Sequence, residues 1–380
     1  GKVTSAVGRV GFSSGGVGTV LVTGANSWWQ NNATIALGTS GSGTITIEAG
    51  GRISATQVNF TNTSVSTAGQ ATLYLKGTSS SRGVLETGFL KEGFGSGSGM
   101  VYFNGGILRS LSDQTELFQD FESADIVVQS AGAFIDTQAF HTGTTLDLGG
   151  AGGLTKLGTG SLALGGSNTY SGITTVTDGT LVLSGSLAAG ALIEASGTLT
   201  GNGHIAGGTT IHGIHRPGSS PGLPSFGSSL SYGSGATIYW ELQSHTEASI
   251  DRGVAYDGIN VAGNLNVDGP THLHLAFGGS VDWADSDYWS TSRQWLFFQV
   301  SGLTINPSNM SVASSDWLDG GGKKFQDWLS GGGFDLLLDG SDVYVVYTPL
   351  PEPARGALLL AAALACLMRR TRRRPIQITV

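Results

Sequence analysis

Seven histidines are the first residues to test for chemistry. His212 and His215 stand three apart, and His272 and His274 stand two apart, so the second pair would share one face of a strand. A zinc site needs a third ligand and hydrogen-bonded support behind it, and no HExxH or equivalent spacing supplies them. The expectation is exposed strand histidines. Asp282, Asp285 and Asp287 form an acidic knot of oxygen donors suited to calcium. It lacks the glycine and the distant glutamate of an EF-hand loop, so a solvated loop is the simpler expectation, with calcium as the alternative. Acid–base chemistry on a sugar chain would need paired carboxylates, or a base beside Arg or Lys, converging on one groove. Asp257, Glu241 and Asp268 read as isolated among glycines and small residues. There is no G-x-S-x-G elbow and no phosphate loop. The sequence therefore leads us to expect no catalytic residue, no cofactor and no metal ligand.

The elements that would carry such residues are repeats. Gly supplies 62 of the 380 residues, yet apolar residues stay regularly spaced, which separates the chain from disordered sequences that lack them. Gly18-Thr19-Val20-Leu21-Val22, Gly43-Thr44-Ile45-Thr46-Ile47, Gly160-Ser161-Leu162-Ala163-Leu164, Gly179-Thr180-Leu181-Val182-Leu183 and Gly197-Thr198-Leu199 share one template, and Ala71-Thr72-Leu73-Tyr74-Leu75 is a variant. Alternation with period two is a strand with one buried face, and the glycines between suit tight corners. Adjacent copies recur at about twenty residues, the spacing expected of a parallel β-solenoid whose coils bury a continuous internal column. An antiparallel sandwich would need Asn-Gly or Asp-Gly hairpins, which are scarce before residue 330. Residues 114–122 read as a short helix or an irregular excursion. A β-helical polysaccharide lyase or glycoside hydrolase is the enzymatic alternative, disfavoured by the scattered acids.

The stretch 150–183 reads GAGGLTKLGTGSLALGGSNTYSGITTVTDGTLVL. Through Gly152, Gly153, Leu154, Lys156, Gly158, Gly160, Leu162, Leu164, Asn168, Tyr170, Gly172, Gly179 and Leu181 it resembles the autotransporter-associated β-strand repeat. The resemblance implies a right-handed parallel β-helix of the passenger type, and looser likeness extends it over most of residues 10–350. Asn168 suits an inward corner where stacked amides could bond along the axis, and Tyr170 would cover the adjacent coil. Pro217 and Pro221 remove two backbone donors, which should interrupt strand pairing near 216–226. Longer strands are expected at 237–242, 259–267 and 272–277. Five tryptophans then crowd together (Trp283, Trp289, Trp295, Trp317 and Trp328). Residues 334–338 and 342–347 about Asp339-Gly340-Ser341 read as a hairpin capping the last coil. The expected division is 1–149 divergent solenoid repeats, 150–215 repeat coils of the resembling type, 216–350 a terminal solenoid and β capping module, and 351–380 a sorting tail. A passenger with its own membrane barrel would need ten-residue alternating strands at the end, and none follows residue 275.

That tail reads Pro351-Glu352-Pro353, an apolar run over 356–368, then Arg369, Arg370, Thr371, Arg372, Arg373 and Arg374. A thirteen-residue helix spans about 20 Å, short of a hydrocarbon core of about 30 Å. The arginines would be held on the cytoplasmic side. The order of parts resembles the PEP-CTERM signal of exported bacterial proteins, which implies a membrane-embedded exosortase-like protease as partner and cutting near Pro351-Glu352-Pro353. An ordinary short membrane anchor is the alternative. The single cysteine, Cys366, lies inside the apolar run, so the body offers no disulfide and no thiol chemistry. Residues 1–350 carry 13 basic and 26 acidic side chains, a net charge of −13 that argues against nucleic acid. The chain opens at Gly1 without a basic and apolar leader, and the expectation is a fragment or processed form with more repeats ahead. Function is expected to be structural or adhesive, at the cell surface or in its matrix, with extracellular polysaccharide or other surface proteins as possible contacts.

Overall fold

A computed structural model describes residues 1–61, 69–93, 97–313, 317–329 and 332–349. The sorting-tail residues Pro351, Glu352, Pro353, Arg369, Arg370, Arg372, Arg373 and Arg374 lie outside them. Period-two alternation in the sequence becomes stacked parallel strands. One wall is a 19-stranded sheet, and the others form sheets of five and seven strands in the first half and eight in the second. The register follows a single inward column from coil to coil. It runs Val3, Trp29, Ile53, Leu85, Leu108, Ile135, Lys156, Val176, Ile193, Ile211, Tyr232 and Val267. Twelve rungs about 4.8 Å apart make a column about 53 Å long. The protein is a parallel β-solenoid, as its repeats imply.

Coil size varies while the column does not. Neighbours in it are 17 residues apart from Val176 to Ile193 and 35 apart from Tyr232 to Val267, because the extra residues are put into corners and loops. A second column places Thr142, Leu162, Leu181, Leu199, His215, Ile238, Leu273 and Val312 in register. A coil has no core of its own, so each buried leucine, worth about 2 kcal/mol, acts only against its neighbours in the stack. Near residue 216 the ladder to the next rung holds Ile214 and His215 alone, stopping before Pro217, which has no N–H to give. The columns continue past that point to residues 267 and 312.

Three expectations are corrected. Residues 114–122 form no helix, and the irregular stretch carries a rung of the wall: Phe118–Gln119 is a parallel strand on Phe89–Glu92, with Leu117, Phe118 and Phe121 buried. Burial of three apolar residues in a wall outweighs helix propensity in so short a segment. The strand expected over 259–267 is two strands, Ile259–Val261 and Leu265–Val267, on different walls. Between them Gly263 turns a corner so close to the previous coil that a Cβ there would lie 2.5 Å from the Ser229 nitrogen. Asn168 does point inward, but it forms no amide ladder. Its carbonyl accepts from Leu148 N at 3.1 Å and its amide donates to Ser186 O at 3.1 Å, so one side chain ties three coils through main chain.

The hairpin is present. Gly333–Asp339 and Asp342–Thr348 pair antiparallel, and the second strand pairs antiparallel with Arg293–Val300, ending the eight-stranded wall. Trp283, Trp289, Trp295, Phe325, Phe334 and Tyr347 pack ring on ring beneath it. No helix among the described residues is long and apolar enough to cross a membrane.

Candidate functional site

The ionisable side chains most removed from water face inward or lie beneath loops. Lys156 follows Leu154 on the inward face of Leu154–Leu157 and occupies the long column between Ile135 and Val176. Fully buried, its ammonium donates to Thr137 Oγ1 at 2.9 Å, Leu157 O at 3.1 Å and Gly158 O at 2.6 Å. Burial lowers its pKa to about 8, against the pull of Asp178 and Asp136. The corner is built around it. Gly158 has φ +81°, and at Gly179, with φ +69°, a Cβ would lie 2.3 Å from Gly160 O and 2.7 Å from the Lys156 Nζ. Leu154, Leu162, Leu164 and Leu181 are buried beside it. Tyr170 does not lie over a coil as expected. It is wholly inside, its hydroxyl 2.6 Å from Thr174 Oγ1, and burial raises its pKa.

The histidines separate rather than converge. His212 is exposed, whereas His215 is buried in the second column with Nδ1 2.6 Å from the Tyr232 hydroxyl. Burial pushes its pKa down to about 3, so it stays neutral. The expectation of exposed strand histidines therefore fails at His215, because inward column positions accept any ring that fits and finds a partner. His272 and His274 do share an outer face; His274 stacks on Tyr239 at 5.2 Å, and the Arg216 guanidinium lies 3.6 Å from the other side of that stack, over the Tyr239 ring. Tyr74 and Tyr102 stack likewise at 5.0 Å on neighbouring rungs. In both stacks the ring faces are directed at neighbouring coils.

Asp282 and Asp285 are engaged elsewhere. Asp282 Oδ1 lies 2.6 Å from Lys323 Nζ, a hydrogen bond that lowers the carboxyl pKa. Asp285 caps the turn Ser286–Trp289 by accepting from Tyr288 N, and its other oxygen meets His245 Nδ1 at 3.0 Å. Asp287 is exposed. Among the described residues no three metal-ligating side chains gather.

Asp257 and Glu241, read as isolated, are neighbours. Asp257 is buried and accepts from Gly222 N at 2.7 Å and Glu241 N at 2.9 Å. Burial raises its pKa to about 8, opposed by the Gly222 N–H and reinforced by the Glu241 charge. Glu241 bonds the Ser220 hydroxyl. One carboxyl thus pins the loop at Gly222 while the other bonds the same loop at Ser220. Asp268 is exposed in the turn after Leu265–Val267.

Sequence reasoning missed three polar groups. Glu92 sits on the inward side of Phe89–Glu92 beside Phe60, accepts from Gly99 N at 2.6 Å, and is pushed up to about 7, mainly by burial. Its alternation with Leu90 was the available signal. Glu86, Arg109 and Asp136 form an outward ladder on three successive rungs, with Arg109 at 3.0 Å from Glu86 and 2.8 Å from Asp136, and Arg52 pairs with Glu86 from the rung before. Arg252, buried in a loop, donates to Ile259 O, Leu296 O and Phe297 O, which no periodicity foretells.

Fold and geometry together define a parallel β-solenoid whose recurring residues build corners and columns. Compared with known families, residues 154–183 match the passenger-associated transport repeat. The matched stretch includes Lys156, Asn168, Tyr170 and Gly179, whose geometry is given above. A search of curated proteins returned no match.

Proposed function

We propose that this protein is an exported, non-enzymatic solenoid that acts as a stiff spacer or adhesive rod at the cell surface or in the extracellular matrix. The observation that carries the reading is the use made of the repeat residues. Lys156, Asn168, Tyr170 and Gly179 serve the stacking of coils, and Asp257, Glu86 and Asp136 serve a loop and a ladder. A repeat specialised in stacking yields length and broad outer faces, which suit weak multivalent contacts with polysaccharide or other surface proteins.

The tail supplies the sorting half of the proposal. The apolar run 356–368 would partition into the bilayer, and the arginines would hold the chain from slipping through. Pro351 and Pro353 would keep the segment before it extended, open to a membrane-embedded exosortase-like protease. Mass spectrometry of surface-released protein tests this: a C-terminus near Glu352 is expected. Changing Pro351, Glu352 and Pro353 to alanine should leave an intact, membrane-retained precursor. Recovery of peptides from 357–369 in the released form would reduce the tail to an anchor. Turnover of a polysaccharide by the purified protein, lost in Glu241→Gln, would restore the enzymatic alternative.

A further inference from the structure

In the first coil Val3, Val7, Phe12, Val17 and Leu21 are exposed, and along the described flanks between the ends the large ones are Leu111 and Ile173, each alone, and Ile250 with Val254 in one loop. At the C-terminal end Leu303, Ile305, Leu318, Trp328, Leu337 and Leu338 are all exposed. They stand on or beside the last elements of the stack. Thr304–Ile305 and Met310–Val312 have strand partners only in the preceding rung, and Gly333–Asp339 pairs only with the other strand of the hairpin. Among them opens a cleft of about 280 Å³ lined by Leu265, Val267, Met310, Leu336, Leu338 and Val343 together with the polar Thr304, Ser308 and Asp335. The cap therefore closes one wall and leaves the others ending in apolar surface.

Several hundred square ångströms of clustered apolar surface on a protein mark a contact, and three features indicate which one. The hairpin ends at Thr348 and the apolar run begins at Gly356, so seven residues, at most about 28 Å of chain, separate this face from whatever holds the run. The inward columns end at Val267 and Met310, and among the described residues no rung follows these strands, so the cleft opens at the end of the stack. Trp328, 54% exposed, carries the Lys323 ammonium 5.1 Å from its ring, the pairing of an aromatic ring and a lysine favoured at a membrane–water boundary.

We infer that the C-terminal end face docks on the outer surface of the lipid bilayer while the tail is still attached, so that the uncut precursor stands end-on. The inference rests on the membrane reading of the tail and adds an orientation to it. Docking by Leu337, Leu338 and Trp328 would hold the segment around Pro351-Glu352-Pro353 at the membrane surface, within reach of a membrane-embedded protease, and cutting would free the rod by removing its tether.

The test uses the full chain in phosphatidylcholine nanodiscs whose acyl chains carry bromine, a contact quencher of tryptophan. Emission of the protein minus that of Trp328→Phe isolates residue 328. Most of that difference should be lost in brominated discs and retained in unbrominated ones. Leu337→Asp with Leu338→Asp should restore it while circular dichroism stays unchanged. A protease-protection assay on 356–368 runs in parallel. Protected tail with unquenched Trp328 overturns the docking inference alone, and two chains per disc in that case would assign the face to a second copy. An unprotected tail overturns the membrane reading and the docking with it.

Discussion

At the scale of residues, the solenoid turns potential chemistry inward and makes it structural. His215 is the clearest case, since it occupies a column position otherwise filled by Leu199 and Ile238. Its folded pKa is lowered from 6.5 to about 3, so the unfolded chain takes up a proton that the folded chain refuses between those values. Stability from this group is full above pH 6.5 and is lost as pH falls toward 3, at about 1.4 kcal/mol per pH unit. His215→Leu should remove that slope. It leaves the Tyr232 hydroxyl without its partner, a penalty that does not vary with pH in this range. Denaturant melts of both proteins from pH 7 to 4 check the point: the difference in stability should shift steadily in favour of the leucine variant as pH falls. A constant difference would mean that His215 takes up its proton in the fold as readily as in the unfolded chain. Asp257 and Glu92, with raised pKa values, act in the opposite direction, losing stability as pH rises through 4 to 8, and cancel in the comparison.

At the scale of elements, a strand owes its place to the rungs on either side. Leu181 lies between Leu162 and Leu199 and is fully buried. Leu181→Ala should cost about 2–4 kcal/mol, because neighbours fixed by ladders on both sides cannot collapse into the cavity. Thr159→Ala, at an exposed corner, should be nearly silent in the same urea titration. Equal losses would contradict the inward assignment. These strands were legible in the sequence because alternation and glycine corners are local signals. The Asp339-Gly340 hairpin was legible for the same reason. The strand Phe118–Gln119 was not, since two residues are too few to show a period and their partner Phe89–Glu92 is almost thirty residues away. The neighbourhood of Asp257 and Glu241 was hidden likewise, because loop 243–258 returns the chain to the same corner by its length and no periodicity records it. The inward turn of Lys156 follows its alternation with Leu154, against the usual exposure of lysine.

At the scale of the whole molecule, distance along the rod counts rungs and not residues. The outer column through His141, Ser161, Thr180, Thr198, Ile214, Thr237, His272 and Ser311 makes the claim measurable. His141 and Ile214 are four rungs apart, about 19 Å, whereas Ile214 and Ser311 are three rungs apart, about 14 Å, although more residues separate them. Spin labels on cysteines at these positions, in a Cys366→Ser background, report the spacing by pulsed electron paramagnetic resonance. The most direct measurement is the pair His141→Cys and Ser311→Cys, seven rungs apart, set beside His141→Cys and Ile214→Cys. The account predicts Cα separations near 34 Å and 19 Å, in the ratio of seven to four. Separations that do not grow with rung number, as an antiparallel sandwich returning the chain to its starting end would give, would contradict the solenoid and the function built on it.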